Sequence, residues 1–232
     1  MHGRVRAEQG AGAHTNSLRS SLAAAAGAAL ALGCQSTQMD LADFEKMLRQ
    51  LAPSNGWPLV CEGSPLMCQV FLVCLNPRSN TPFWPQWRLP YGFRKDAWLG
   101  AYQCREGRLR RTRQQLEGLV ETPAPNRCLE TNVFATSSRR LSDLSHDDRS
   151  TFVFDFLLSA IRPKVLLVYG RKARKHLERL AGGAALPLNE FRTVDLGSGS
   201  IDVLASRHLS YQMSGEDCVR LGERIRDRAS AA

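Results

Sequence analysis

The sequence Gln-Val-Phe-Leu-Val-Cys-Leu-Asn at residues 69–76 decides the fold predicted for this chain. Its six consecutive apolar residues predict a strand that is covered on both faces, which is typical of a parallel sheet between helices. Asn76 then lies at the carboxyl end of a buried strand, where open α/β sheets bind their ligands. Pro77 ends the strand. Three large aromatic residues follow it closely: Phe83, Trp84 and Trp87. The stretch therefore predicts a pocket for a flat ligand, with a polar amide beside aromatic rings.

Predicted strands and helices alternate along the rest of the chain. The other strands are predicted at residues 59–61, 128–135, 165–170, 191–196 and 201–205. Helical spacing of apolar residues separates most of them. This order predicts an α/β fold, a three-layer α/β/α sandwich whose central, mainly parallel sheet has four to five strands.

Residues 1–38 differ in composition from the remainder, because they are rich in alanine and glycine. A basic start followed by an apolar run resembles a secretory or lipoprotein signal, but the run is too short and too rich in alanine to span a bilayer. Met39 opens a new pattern, with Asp40 as an N-cap before apolar residues at helical spacing. We therefore expect residues 1–38 to be a disordered or mis-assigned extension and residues 39–232 to form one domain.

Charge and cysteine content narrow the class of protein. The net charge of +9 over 232 residues favours polyanionic partners. Basic residues concentrate at 105–113 and 162–179, where solvated helix faces are the structural alternative. The seven cysteines contain no C-x-x-C pair, which favours reduced thiols in a cytoplasm and argues against a metal or iron–sulfur site. We expect no cofactor.

Polar residues follow three of the predicted strands, as Asn76, as Glu130-Thr131-Asn132, and as His208 with Ser210. Because parallel strands end at one edge of a sheet, these side chains are expected to meet there. Each also has a structural alternative: Asn76 can cap a turn, Asn132 can hold a loop, and His208 can be a hydrogen-bonded structural histidine. The tryptophans can pack in the core.

The order of these motifs resembles the uracil-DNA glycosylase superfamily over about residues 57–228. The resemblance rests on Leu75-Asn76-Pro77, the aromatic segment, the strand ending in Asn132, Ile161-Arg162-Pro163-Lys164-Val165 with its strand ending in Tyr169-Gly170, and His208-Leu209-Ser210. The Asn-Pro pair is similar to that of mismatch-specific and single-strand-selective members. Two positions differ from the family pattern, since Arg78 replaces a glycine and Leu209 replaces a proline.

The resemblance implies a role for each matched residue. Asn76 would orient the attacking water, His208 would donate to a uracil carbonyl as negative charge develops, and Asn132 would bind the uracil edge. The ring that stacks on the flipped base would be Trp87 or Tyr91 by spacing, with Phe83 and Trp84 as alternatives. The expected DNA-phosphate contacts are Arg78, Ser210, Arg171, Lys172, Arg174 and Lys175.

The residue types suit cleavage of an N-glycosidic bond, which needs a donor at the departing base and a held water. We therefore expect a monomeric DNA glycosylase that removes uracil or a related damaged base, and no membrane partner. A catalytically inactive nucleic-acid-binding or nucleotide-sensing module is the alternative, indicated by Arg78 and Leu209. A hydrolase of small nucleosides is less favoured because it needs no basic surface.

Overall fold

The computed structural model describes residues 39–122, 127–197 and 199–231. The predicted extension at residues 1–38 lies outside the described residues, so that prediction stays untested. The helices are α1 (Leu41–Leu51), α2 (Lys95–Glu106), α3 (Arg111–Glu121), α4 (Phe152–Ile161), α5 (Arg171–Leu180), α6 (Leu209–Gln212) and α7 (Gly215–Ala231). The strands are β1 (Leu59–Val60), β2 (Val70–Cys74), β3 (Trp87–Arg88), β4 (Gly92–Phe93), β5 (Cys128–Asn132), β6 (Val165–Tyr169), β7 (Phe191–Asp195) and β8 (Ser200–Ser206).

Six of these strands form one mixed sheet in the order β1-β5-β2-β6-β8-β7. The inner strands β5, β2, β6 and β8 run parallel, as the alternating pattern predicts. The sheet has six strands rather than the four to five predicted, because the strands predicted at 59–61 and 191–196 both join it, as β1 and β7, and pair antiparallel at its two edges. Strands β3 and β4 form a separate hairpin.

The strands bury hydrophobic side chains on both faces of the sheet. Phe71 and Val73 belong to a cluster that includes residues of α1, α4 and α5, and we call this side the α5 face. Val70 and Leu72 belong to a second cluster with residues of α3 and α7, and we call this side the α3 face. Burial of each large apolar side chain contributes about 1.5–3 kcal/mol, so the apolar run of β2 is stabilised from both sides.

The parallel strands give the sheet two different ends. The four inner strands all finish at one end, which we call the carboxyl edge, and begin at the other, the amino edge. The β3–β4 hairpin lies at the amino edge, where Phe93 and Gly63 exchange two backbone hydrogen bonds of 2.9 Å. Gly92 must be glycine here, because a Cβ would lie 2.3 Å from the carbonyl oxygen of Gly63.

The part of the chain that the structure describes contains neither a membrane-spanning helix nor a disulfide bond. None of the described helices is long and apolar enough to cross a membrane. No disulfide bond is formed among the cysteines that the structure describes.

Candidate functional site

The ends of four parallel strands place Asn132, Cys74, Tyr169 and Ser206 in one row at the carboxyl edge. Asn132 is the register partner of Cys74, and Tyr169 that of Ser206. With neighbouring strands about 4.8 Å apart, the row is roughly 14 Å long. Asn76 and His208 each lie two residues beyond it, so the structure brings Asn76, Asn132 and His208 to the same edge.

Asn76 is half-buried and held in one orientation. Its Nδ2 donates to the hydroxyl of Ser138 at 2.9 Å, to the Ser138 carbonyl at 3.2 Å and to the Pro77 carbonyl at 3.3 Å. A carbonyl can only accept, so these contacts determine which end of the amide is the nitrogen. The Oδ1 atom accepts no hydrogen bond from the residues described and can accept one from a water.

The segments after β2 and β5 are joined beyond the strands themselves. The Val133 amide donates to the Cys74 carbonyl at 2.9 Å, and the Phe134 amide donates to the Leu75 carbonyl at 2.8 Å. Ser138 continues this pairing through its own amide, which donates to the Pro77 carbonyl at 3.0 Å. Ser138 therefore holds Asn76 in place, a role that its sequence position does not indicate.

Asn132 carries a buried hydrogen-bond donor that has no partner among the residues the structure describes. The side chain is only 3% exposed, and its Nδ2 bonds to no atom of the described structure. An unsatisfied buried donor costs about 1–3 kcal/mol, so a ligand that supplies an acceptor would recover this free energy. The nitrogen is sealed from solvent. A ligand therefore reaches it only after the surrounding groups move.

A buried ion pair lies two residues before Asn132 on β5. Arg113 of α3 donates from Nη1 to Oε1 of Glu130 at 2.6 Å, and both side chains are buried. Burial alone would lower the pKa of Arg113, but the negative charges of Glu130 and Glu117 outweigh it and raise that pKa above its ordinary value. The second carboxylate oxygen of Glu130 has no partner among the described residues. The pair anchors α3 to the sheet close to the carboxyl edge.

Between Asn132 and His208 lie Cys74 and Tyr169, which are in contact. Burial raises the pKa of Cys74 to about 11, although hydrogen bonds with the Leu75 backbone and with Tyr169 act in the opposite direction. The thiol is therefore protonated at neutral pH and is not a nucleophile. The ring of Tyr169 stands edge-on to that of His208, with centroids 5.9 Å apart, and so restricts the imidazole.

His208 is a neutral imidazole whose tautomer is determined by its neighbours. Its Nδ1 accepts from the backbone amide of Ser210 at 3.2 Å and lies 2.8 Å from the Ser210 hydroxyl. Because a backbone N–H can only donate, Nδ1 carries no proton and Nε2 does. Burial lowers the pKa of His208, which keeps the ring neutral at physiological pH. The Nε2–H group is then available as a donor.

Two of the four aromatic candidates for base stacking, Trp84 and Trp87, pack against α1, and a third, Phe83, stacks on Phe93 of β4. Phe83 and Trp87 are buried in the cluster on the α5 face. Trp87 lies parallel to the ring of Phe44 and donates from Nε1 to Glu45 at 2.8 Å. The ring of Trp84 is covered by the guanidinium of Arg49, 4.0 Å from its centroid. Phe83 and Trp87 therefore pack in the core, as their structural alternative predicts, whereas Trp84 is only partly buried.

The fourth candidate, Tyr91, lies at the amino edge. Its side chain is 52% exposed, and its hydroxyl donates to Glu62. The two residues line a surface depression of about 290 Å³ that is remote from Asn132. The β3–β4 hairpin carries Tyr91 to this end of the sheet, so the structure does not bring it together with Asn76 and His208.

The residues predicted to contact DNA phosphates differ in their exposure to solvent. Arg171, Lys172, Lys175 and Arg78 are exposed. Arg171 and Lys172 begin α5 directly after β6 and so lie at the carboxyl edge. Arg174 is half-buried and lies 3.6 Å from Glu178, and Ser210 is buried beside His208. We therefore expect the first turn of α5 to be the more accessible part of this group.

Sequence reasoning did not find Arg113, Tyr169 or Ser138 as parts of the site. Arg113 could have been recognised, because it shares a helical stripe with Leu116 and because Glu130 interrupts a buried strand.

Among the residues that the structure describes, no group of acidic, histidine or cysteine side chains could hold a metal ion.

No protein-family model matches this chain, and no curated protein matches it.

Proposed function

We propose that this chain is a DNA glycosylase, similar to the uracil-DNA glycosylase superfamily, that removes uracil or a related damaged base by hydrolysing its N-glycosidic bond. The observation that carries the proposal is the buried, unpartnered Nδ2 of Asn132 at the edge that also holds Asn76 and His208. The proposal includes a three-layer α/β/α sandwich, favoured by the hydrophobic clusters on both sheet faces, and a monomeric, cytoplasmic protein.

The base would be recognised by Asn132. Uracil presents carbonyl oxygens, and a carbonyl is the acceptor that Nδ2 lacks. An enzyme of this class must take the base out of the stack, at a cost of a few kcal/mol, and enclose it in a pocket. Because Nδ2 is sealed from solvent, insertion of the base has to displace the groups that cover it. The hydrogen bond formed would then offset part of that cost.

His208 and Asn76 would act on the reaction itself. As the glycosidic bond breaks, negative charge develops on the departing base, and the Nε2–H of a neutral His208 can donate to it. The Oδ1 of Asn76 can accept from the attacking water and so orient it. An amide cannot take the proton of that water as a carboxylate could, so the reaction is expected to be slow.

The test is cleavage of an oligonucleotide with a single uracil, followed by alkali to cut abasic sites. The variant Asn132→Leu keeps the branched shape and removes the unpartnered donor. It should lose excision while its free energy of unfolding stays equal to the parent's or rises, because the buried-donor penalty of about 1–3 kcal/mol disappears. If the role of Asn132 is purely structural, the Asn132→Leu variant should be less stable than the parent.

The matched control is the neighbouring Thr131→Val. Thr131 is also buried, but its hydroxyl donates to the Pro58 carbonyl at 2.8 Å. Losing that bond should reduce stability by about 1 kcal/mol and leave excision intact. A parent protein that releases no base from uracil-containing DNA, or an Asn132→Leu variant that excises normally, would overturn the proposal.

The second candidate is a catalytically inactive module that binds nucleic acid. It is favoured by the closed position of Asn132 and by the packing of Phe83 and Trp87 in the core. Binding of DNA without release of any base would support this alternative.

A further inference from the structure

A second group of exposed arginines surrounds the point where α2 ends and α3 begins. We call it the junction patch: Arg105, Arg108, Arg110 and Arg111. Arg110 is paired with Glu106, whereas the other three form no ion pair with any residue that the structure describes. The patch thus carries four positive charges, and the carboxylate of Glu106 neutralises only one of them. The remaining positive charge can attract an anionic partner.

The junction patch lies at the carboxyl edge. Arg113, in the first turn of α3, bonds to Glu130 near the end of β5. Glu117, one turn later, is paired with Lys95 at the start of α2. Both helices are therefore oriented so that the connection between them is near the polar strand ends and the opposite helix ends are near the amino edge.

Arg78 adds a fifth charge to this side. It follows Asn76-Pro77 directly and is exposed. Burial raises the pKa of Tyr102, and the nearby charges of Arg113, Arg110 and Arg78 oppose that rise. The loop that carries Asn76 thus places Arg78 close to the end of α2, beside the junction patch.

The exposed cations of α5 lie on the other side of the same edge. Leu116 and Leu119 of α3 pack on the α3 face of the sheet, whereas Ala173 and Leu177 of α5 pack on the α5 face. The two basic groups are therefore separated by the sheet. With a helix about 10–12 Å in diameter on each side, they stand roughly 20 Å apart.

We propose that the junction patch, together with Arg78, binds DNA phosphates, so that this patch and the first turn of α5 hold one strand on both sides of the target nucleotide. The inference rests on the proposed function in taking DNA as the partner. A span of roughly 20 Å corresponds to about six phosphates at 3.4 Å each along one strand. Rotating a nucleotide out of the stack costs free energy, and phosphate contacts on both sides of it supply binding free energy that can offset that cost.

The experiment measures binding of the full chain to a fluorescent, uracil-free oligonucleotide between 50 and 200 mM salt. Arg108→Ala/Arg111→Ala should flatten the plot of log affinity against log salt by about two units, since each phosphate contact contributes about 0.9. The Arg171→Ala/Lys172→Ala variant should flatten it by a similar amount, and combining the four changes should add the two effects.

The matched control is Arg127→Ala/Lys164→Ala, which removes the same charge from exposed residues directly before β5 and β6, at the amino edge. It should leave the slope close to the parent's. A slope for Arg108→Ala/Arg111→Ala that equals the control's, or a parent protein that binds no DNA, would overturn the junction patch as a DNA contact.

Binding and excision are measured separately, so the two proposals can fail separately. A flattened slope in a protein that releases no base supports the junction patch and removes the glycosylase proposal. Normal excision of uracil together with an unchanged salt slope supports the glycosylase proposal and removes the junction patch as a DNA contact.

Discussion

The polar side chains at the two ends of the central sheet differ in whether they have hydrogen-bond or ion-pair partners. At the amino edge Tyr91 bonds to Glu62, and Lys95 at the start of α2 is paired with Glu117. Toward the carboxyl edge β5 carries two buried polar atoms, Nδ2 of Asn132 and Oε2 of Glu130, that bond to nothing in the described part of the chain. Because such atoms cost stability, their presence at the end of a parallel sheet where ligands generally bind is the basis on which the functional site is proposed at this edge.

The largest expected effect comes from breaking the ion pair beneath the carboxyl edge. Arg113→Ala leaves the Glu130 carboxylate buried and unpaired, which should reduce the free energy of unfolding by about 3–5 kcal/mol. Denaturant unfolding followed by circular dichroism measures this. Arg220→Ala is the control, because Arg220 pairs with Asp217 on an exposed surface and should change little. A loss below about 1 kcal/mol for Arg113→Ala would contradict a buried role for the pair.

The next effect concerns catalysis at the carboxyl edge. His208→Ala removes a donor directed at charge that exists mainly in the transition state, so the excision rate should fall about 10²–10³-fold while substrate affinity barely changes. Single-turnover cleavage gives the rate, and a binding titration gives the affinity. His146→Ala is the matched control, since the His146 side chain is fully exposed. Equal rates for the parent and the His208 variant would return His208 to a structural role.

Acid should weaken the same edge through His208. Burial lowers the pKa of His208 in the folded state, so the folded protein binds fewer protons than the unfolded chain between the folded and unfolded pKa values. This contribution to stability is present above the unfolded pKa and is lost as pH falls through the folded one. Protonation of Nδ1 would break the hydrogen bond from the Ser210 amide that orients the ring, so the excision rate should be constant near neutrality and fall as pH drops through the folded pKa. An acid limb that persists in His208→Ala would assign it to another group.

A smaller effect is expected in the aromatic segment. Trp87→Phe keeps the packing against Phe44 but removes the hydrogen bond to Glu45, which should cost about 1 kcal/mol of stability. Excision should be nearly unchanged, because the ring lies in the core. Thermal unfolding and the uracil assay check the two statements. A stable variant with strongly reduced excision would show that Trp87 stacks on the base after a rearrangement.

The smallest effect is expected at the amino edge. Tyr91→Phe removes only an exposed hydrogen bond to Glu62 and lies at the far end of the sheet from Asn132. Both excision and thermal stability should match those of the parent within experimental error. Loss of excision would mean that the amino edge also contacts the substrate.

The parallel sheet and the location of its polar residues could be predicted from sequence. The apolar run of β2, with a polar residue at its end, is sufficient for both, because the direction of a parallel strand determines the edge at which its last residue lies. Strands were also predicted at 59–61 and 191–196, where β1 and β7 form, but their antiparallel pairing at the edges of the sheet was not. That direction depends on where the connecting segments place each strand, which no local pattern specifies.

The partners of individual side chains could not be predicted in the same way. A tryptophan in a sequence is equally compatible with a core and with a binding pocket, and only the position of α1 places Trp87 against Phe44. Likewise, Arg113 and Glu130 belong to different elements, and their contact depends on how α3 packs on β5.

By itself the sequence determined that buried parallel strands would deliver Asn76, Asn132 and His208 to one edge, because strand direction and apolar runs are local properties of the chain. Only the tertiary structure decided which of these side chains have hydrogen-bond partners. The bond from Asn76 to Ser138, the tautomer of His208 and the unpartnered Nδ2 of Asn132 all depend on the placement of neighbouring segments. Whether a buried donor has an acceptor within about 3 Å is a property of packing, which no local pattern specifies.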